Sequence, residues 1–168
     1  MKKTTRTMII LLAMFVTSTI FISCNKKVPA FPQELTAYFP YTPGQELVFN
    51  DEEGNEMSFT INNVYISQEG SYKRCTKCGW WPYMEISGNS GLFVLMEVDK
   101  DILHILVFLL GQGSFEKEIN CHPYSNNAIS EIGDTIKLVK DNGSELIIVR
   151  EKGIVKYSAD NVTWNLVE

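Results

Sequence analysis

The stretch GDTIKLVKDNGSELIIVREKGIVKYSADNVTWNLVE, residues 133 to 168, decides the fold class. Apolar and polar residues alternate through four short runs, and Gly, Asn, Asp or Lys residues separate them. Alternation with a period of two is typical of a strand with one buried face. Asn142-Gly143 is the sequence signature of a type I′ hairpin turn. The stretch therefore predicts a four-stranded antiparallel meander: Thr135 to Lys140, Glu145 to Arg150, Ile154 to Ser158 and Thr163 to Val167.

The same alternation continues towards the N-terminal side. It predicts strands at Glu46 to Asn50, Glu56 to Ile66, Tyr83 to Ser87, Leu92 to Val98 and Ile102 to Leu110. The apolar residues change parity after Asn62-Asn63, which predicts a β-bulge there. The run ILHILVFLL is apolar on both faces, so we expect a central strand covered on both sides. Without a sustained helical stripe, the chain is predicted to form one all-β domain, an antiparallel sandwich or a barrel-like sheet of about eight to nine strands.

The N-terminal segment has the pattern of a secretory signal peptide. Lys2, Lys3 and Arg6 precede the uncharged run Met8 to Ile22, which is too short for a comfortable membrane span. The run ends in Ser23-Cys24 and resembles a bacterial lipobox, in which the cysteine is lipidated and becomes the mature N-terminus. We therefore predict a lipoprotein signal peptide at 1–23, a lipidated Cys24 with a tether at 24–35, and the all-β domain at 36–168.

Several acyl chains on one cysteine, palmitate among them, would hold the protein firmly at a membrane, because a single chain gives only marginal binding. By resemblance to lipoprotein sorting rules, Asn25 favours the outer membrane over retention in the inner membrane. Surface-export signals have acidic residues shortly after the lipidated cysteine, whereas this chain has Lys26 and Lys27 there. The sequence thus predicts an outer-membrane lipoprotein, with a periplasm-facing position favoured over the cell surface.

The mature chain is acidic. Without Lys2, Lys3 and Arg6, 12 basic residues stand against 20 acidic ones, a net charge near −8. A nucleic-acid partner is therefore not expected. The predicted partners are the membrane, through the lipid, and an envelope protein or a glycan ligand. No cofactor is indicated.

Three parts of the chain resemble one group of proteins. They are the segment YFPYTPGQELVFNDEEGNEMSFTI at 38–61, the cysteine-bearing middle, and the C-terminal meander. Together they resemble small outer-membrane lipoproteins of Bacteroides-type bacteria. The resemblance implies the fold and the compartment, and it implies no activity, because none is established for that group.

The cysteines leave several alternatives open. Lipidation would consume the thiol of Cys24, leaving Cys75, Cys78 and Cys121, and an oxidising compartment should pair two of these. We favour a bridge from Cys75 or Cys78 to Cys121, since it would connect two irregular segments, over a bridge from Cys75 to Cys78. A redox role requires a helix after the Cys75-Thr-Lys-Cys78 motif, but Gly79-Trp80-Trp81-Pro82 follows it. A zinc site with His122 has suitable ligands, although neighbouring residues of an extended chain point to opposite faces.

The remaining candidates are aromatic or carry hydroxyl groups. Trp80, Trp81 and Tyr83 cluster in one segment and are candidates for contact with a sugar or a protein, or for packing over an open end of the β structure. Thr135 in Asp134-Thr135-Ile136 resembles the Bacteroidetes O-glycosylation sequon. His104 is expected to be a core or rim histidine with a hydrogen-bond partner.

The chain contains no GxSxG, HExxH, P-loop or Rossmann fingerprint. We therefore expect a lipid-anchored cell-envelope β domain that acts as a non-catalytic binding or interaction module. The alternative is a zinc-binding or thiol-dependent enzyme or module centred on Cys75, Cys78, Cys121 and His122.

Overall fold

A computed structural model describes residues 29–69, 73–75, 79–125, 128–159 and 161–167. Its strands are β1 (Glu46–Asn50), β2 (Glu56–Ile66), β3 (Lys73–Cys75), β4 (Gly79–Trp81), β5 (Tyr83–Gly88), β6 (Leu92–Asp99), β7 (Ile102–Leu109), β8 (Gly113–Asn120), β9 (Thr135–Val139), β10 (Glu145–Val149), β11 (Gly153–Ala159) and β12 (Val162–Leu166). Short 3-10 helices occupy Gln33–Tyr38 and Asn89–Gly91, and the helix α1 spans Ala128–Ile132. The predicted all-β class is confirmed.

Ten of these strands form one antiparallel sheet in the order β8-β7-β6-β5-β2-β1-β12-β11-β10-β9. The sheet curls until its two end strands, β8 and β9, approach each other, and this makes a nearly closed barrel. Strands β3 and β4 form a separate two-stranded ribbon. Of the two predicted architectures the barrel-like one is therefore correct. The predicted number of strands is too low, since it omits β8 and the ribbon.

Lysine side chains connect β8 and β9 along what we call the seam. The Lys117 Nζ donates a hydrogen bond to the carbonyl oxygen of Lys137 at 2.8 Å. The Lys140 Nζ donates to the carbonyl oxygen of Gln112 and lies 4.1 Å from the centroid of the Phe115 ring. The barrel is thus closed partly by lysine side chains on the two facing strands and directly beside them.

The predicted hairpins are present, but the prediction of a type I′ turn at Asn142-Gly143 is wrong, because Gly143 has a positive φ and Asn142 does not. Strands β9 to β12 form the C-terminal meander, and β1–β2 and β6–β7 pair as neighbours. Ile61 lies opposite Gly88 and Asn63 opposite Ser87, which leaves Asn62 as the extra residue of the predicted bulge. Beyond it, Val64 and Ile66 again pack against the core. Because of the bulge, the apolar residues before and after Asn62 all face the core.

Strand β7 corrects one prediction. It does lie within the sheet, and its inward residues Leu103, Ile105 and Val107 are buried. Its outward residues are only half-buried, and Phe108 is 38% exposed. The expectation that both faces are covered is therefore wrong, because the barrel has a single core and nothing in the described part of the chain packs over the whole outer face.

The interior is filled by aromatic and branched aliphatic side chains. The ring of Phe49 packs edge-on against Phe59, with centroids 6.0 Å apart, and against Tyr157, with centroids 5.9 Å apart. Such pairs contribute about 0.5 to 1.5 kcal/mol beyond the area they bury. The cluster ties β1, β2 and β11 together across the core.

Residues 31–41 close one end of the barrel. Phe31, Leu35 and Tyr38 are buried, although the predicted tether includes the first two. The Glu151 backbone N–H donates to the Ala37 carbonyl at 2.6 Å, and the Tyr38 hydroxyl donates to the Gly133 carbonyl. Burial raises the pKa of Tyr38 to about 12. Among the described residues, packing against the barrel thus extends back to Phe31. We call the opposite end of the barrel the mouth.

Within the ranges given above, no helix is sufficiently long and apolar to cross a membrane.

Candidate functional site

Aromatic side chains collect on the outer surface of the barrel, over strands β2 to β7. Trp81 stacks on His104 with ring centroids 6.1 Å apart and planes 7° from parallel. Tyr65 lies beside Tyr83, with centroids 5.3 Å apart. We call the surface formed by Tyr65, Trp81, Tyr83 and His104 the outer aromatic face. Tyr65 is its most accessible aromatic ring, with 40% of its surface exposed.

The strand register places acidic side chains between these rings. Tyr83 lies opposite Glu97, Glu97 opposite His104, and His104 opposite Glu118. The His104 side chain is 32% exposed, as predicted for a rim histidine, and its Nδ1 is 3.3 Å from the Glu118 Oε1, an ion pair when the histidine is protonated. Burial, the neighbouring Tyr65 and the charge of Glu85 together raise the pKa of Tyr83. The carboxylates of Glu85, Glu97 and Glu118 favour positive charge in their surroundings.

On the same surface, the next two lines of residues paired across the strands have apolar side chains at their centres. One reads Glu85, Leu95, Leu106, Glu116 across β5 to β8, and the next pairs Phe93 with Phe108. A shallow cavity of about 210 Å³ lies over Leu95 and Leu106 and is bordered by Glu97, His104, Glu116, Lys117 and Glu118. The Lys117 Nζ donates to the Lys137 carbonyl at the seam. The surface therefore combines an apolar floor with an acidic border.

The predicted aromatic candidates fall partly on this surface. Trp81 and Tyr83 belong to it, while the side chain of Trp80 lies outside what the structure describes. Sequence reasoning missed Tyr65, Leu95 and Leu106. Their signal was present but weak, because each occupies the outward position of a predicted strand where a polar residue is usual.

The cysteine motif lies at the end of the two-stranded ribbon. Cys75 is the last residue of β3, and Gly79 pairs with it as the first residue of β4, while Cys78 lies outside the described residues. A strand rather than a helix follows the motif. The ribbon therefore lacks the helix N-terminus that lowers the pKa of a thiol in thioredoxin-type sites.

Cys121 is a free thiol in this structure and is only 4% exposed. Burial, followed by the charge of Glu131, raises its pKa. A raised pKa reduces the thiolate fraction, so Cys121 is a poor nucleophile where it lies. This location gives no support to the thiol-dependent alternative.

His122 faces the opposite way, as expected for the neighbour of Cys121 on an extended chain. Its side chain is 70% exposed, and its Nδ1 is 3.1 Å from the Glu131 Oε1. The His122 backbone N–H also donates to the Glu131 Oε2 at 2.6 Å, and this bond lowers the pKa of Glu131. Among the described residues, no three His, Cys, Asp or Glu side chains form a group that could hold a metal ion.

The sequence predicts a disulfide from Cys121 to Cys75 or Cys78 that this structure does not contain, because its Cys121 is a free thiol. Non-reducing peptide mapping of the native protein tests whether that disulfide forms. Either bridge would close a loop of more than 40 residues and stabilise the fold by about 4 kcal/mol, more than the small loop of a Cys75–Cys78 bridge. A Cys75–Cys78 peptide with unmodified Cys121 would contradict this connectivity. Three free thiols with bound zinc would favour the metal alternative.

Thr135 is the first residue of β9 and is exposed, while the preceding Asp134 lies 3.3 Å from the Arg150 guanidinium. The hydroxyl is thus accessible to a modifying enzyme, and O-glycosylation at Thr135 stays a prediction.

No protein-family model matches the chain, and comparisons with curated proteins and with solved structures also find no match.

Proposed function

We propose that this chain is a lipid-anchored protein of the outer membrane that binds another envelope protein and performs no catalysis. The observation that carries the proposal is the outer aromatic face with its acidic border. Accessible aromatic rings supply large contact areas at low entropic cost, and they are enriched at protein interfaces. The predicted lipid at Cys24 would keep this surface close to the membrane.

The chemistry of the surface suggests what the partner presents. Leu95 and Leu106 offer an apolar floor, and Glu97, Glu116 and Glu118 surround it. A segment with aliphatic or aromatic side chains flanked by Lys or Arg would complement both features. The overall acidity of the mature chain points the same way, since it favours encounters with basic surfaces.

Site-specific photocrosslinking in cells that produce the full-length protein tests the proposal. With a photoreactive phenylalanine analogue at Tyr65, we expect one discrete adduct with an envelope protein. The same analogue at Val139, which is 57% exposed and lies on β9, serves as the matched control. Equal labelling from both positions, or no adduct from position 65, would contradict binding at this face.

Charge reversal sharpens the test. Glu116→Lys together with Glu118→Lys should remove the adduct, because the acidic border would then repel a basic partner. Glu46→Lys with Glu56→Lys changes the net charge equally at exposed positions on β1 and β2 and should leave the adduct unchanged. If both pairs weaken the adduct alike, binding depends on total charge rather than on this surface.

A further inference from the structure

The mouth of the barrel holds a second cavity, of about 430 Å³. Its lining comes from the β1–β2 turn at residues 51–55, from Gln112 between β7 and β8, and from residues 159–164 around the β11–β12 turn. In the sheet order, β7 and β8 lie across the barrel from β1 and β12. The cavity therefore spans the mouth, which is a common position for ligand sites in β-barrels.

Trp164 forms the aromatic wall of this mouth cavity. Its ring stacks on Tyr157, with centroids 6.0 Å apart and planes 6° from parallel. Tyr157 is buried, and its hydroxyl contacts the Met57 sulfur at 3.5 Å. Tyr157 covers one face of the indole, while Trp164 itself is only half-buried. The indole is thus fixed in place before any ligand arrives, which reduces the entropic cost of binding.

The polar groups of the cavity both donate and accept hydrogen bonds. Asn55, Gln112 and Asn161 carry amides, and Glu52 and Glu53 carry carboxylates. Within the described residues, the amide side chains of Gln112 and Asn161 have no hydrogen-bond partner. No Lys or Arg is among the described lining residues, and the carboxylates of Asp51, Glu52 and Glu53 disfavour an anionic ligand.

The carboxylate of Asp51 already accepts hydrogen bonds from other residues of the β1–β2 turn. Its Oδ1 accepts bonds from the backbone N–H groups of Glu53 at 2.9 Å and Asn55 at 2.8 Å, and its Oδ2 accepts from the Asn55 Nδ2 at 2.7 Å. These bonds lower the pKa of Asp51. Asp51 therefore serves mainly to shape the turn, and the amides supply donors that a purely cationic ligand could not use.

We infer that the mouth cavity binds a neutral, hydroxyl-rich ligand of the size of a mono- or disaccharide. The C–H face of a pyranose ring would lie on the indole of Trp164. Its hydroxyls, which both donate and accept, would pair with the amides of Gln112 and Asn161 and with the carboxylates of the β1–β2 turn. This inference is independent of the outer aromatic face, which lies on the outside of the barrel wall.

Titration calorimetry of the full-length lipoprotein in a detergent without sugar groups tests the inference, with maltose, cellobiose, lactose and chitobiose as probes. We expect at least one disaccharide to bind with a Kd of about 1 mM or tighter and to change the tryptophan fluorescence. Asn161→Gly should weaken binding about five- to tenfold through one lost hydrogen bond. Its backbone φ of +66° suits glycine, so the fold is preserved.

Further variants separate a direct role from a structural one. Trp164→Leu should abolish the fluorescence change and weaken binding at least tenfold, and Gln112→Ala should weaken it like Asn161→Gly. Tyr65→Ala, on the outer aromatic face, should leave the affinity unchanged. The inference is overturned if no disaccharide binds, if Asn161→Gly and Gln112→Ala bind like the unaltered protein, or if only choline or calcium binds.

Discussion

Replacing Gly153 with alanine is expected to destabilise the domain by about 3 to 5 kcal/mol. Gly153 begins β11 with a φ of +85°, a left-handed conformation that costs an alanine about 1 to 2 kcal/mol. A Cβ atom there would also lie 2.2 Å from the Tyr41 hydroxyl oxygen and 2.5 Å from its ring carbon Cζ. Tyr41 is buried and cannot move aside freely.

The cost of that overlap is larger because the Tyr41 hydroxyl has a partner. It accepts a hydrogen bond from the Ile154 backbone N–H at 2.6 Å. Displacing the ring would leave this buried N–H unpaired, which costs about 1 to 3 kcal/mol. Urea unfolding of the lipid-free chain measures the total change.

Gly143→Ala is the matched control for the backbone effect. Gly143 has a φ of +84°, and nothing lies within 4 Å of the Cβ it would gain. We expect it to lose only about 1 to 2 kcal/mol. Equal losses in the two variants would show that the contact between Gly153 and Tyr41 contributes nothing.

Replacing Cys24 with serine is expected to release the protein from the membrane entirely. The prediction follows from the lipobox, since Cys24 lies outside the described residues. Each acyl chain contributes about 0.8 kcal/mol for every buried methylene, so removing all the chains leaves no anchor. Phase separation in a cloud-point detergent measures the effect, with the unaltered protein in the detergent phase and Cys24→Ser in the aqueous phase.

Ser23→Ala is the control for this second experiment. It keeps a small residue before the cysteine and should leave the protein in the detergent phase. Mass spectrometry of the N-terminal peptide then identifies the acyl chains. If the unaltered protein is found in the aqueous phase, the predicted lipid anchor and the proposed position at the outer membrane are both contradicted.

Local sequence signals predicted most of the strands but not how the sheet closes. Turn-forming residues at Asp51 to Asn55 and at Asn142-Gly143 locate two hairpins, although they do not fix the type of turn, since Asn142 lacks the positive φ of a type I′ turn. Strand β8 has no such signal, since Phe115 is its only fully buried residue and Ser114, Glu116 and Lys117 are exposed. The choice between sandwich and barrel depends on β8 meeting β9, a contact between distant segments that no local pattern encodes.

The candidate sites were less predictable than the fold for the same reason. Trp81 and His104 stack across a ribbon and a sheet, and Gln112 meets Trp164 from the other side of the mouth. Each residue is unremarkable within its own segment. Only the register of the strands brings the members of each site together.

The seam also determines how the domain avoids polymerising. Every sheet that does not close fully ends in two strands whose backbone groups can recruit another molecule. Here the two edge strands lie against each other. Lys117 and Lys140 donate hydrogen bonds to the backbone carbonyls of Lys137 and Gln112, so these acceptors are not free to pair with another strand. The positive charges of these two lysines also repel the same seam on another molecule of the protein. The ends of this sheet are therefore poorly suited to pairing with a strand of another molecule.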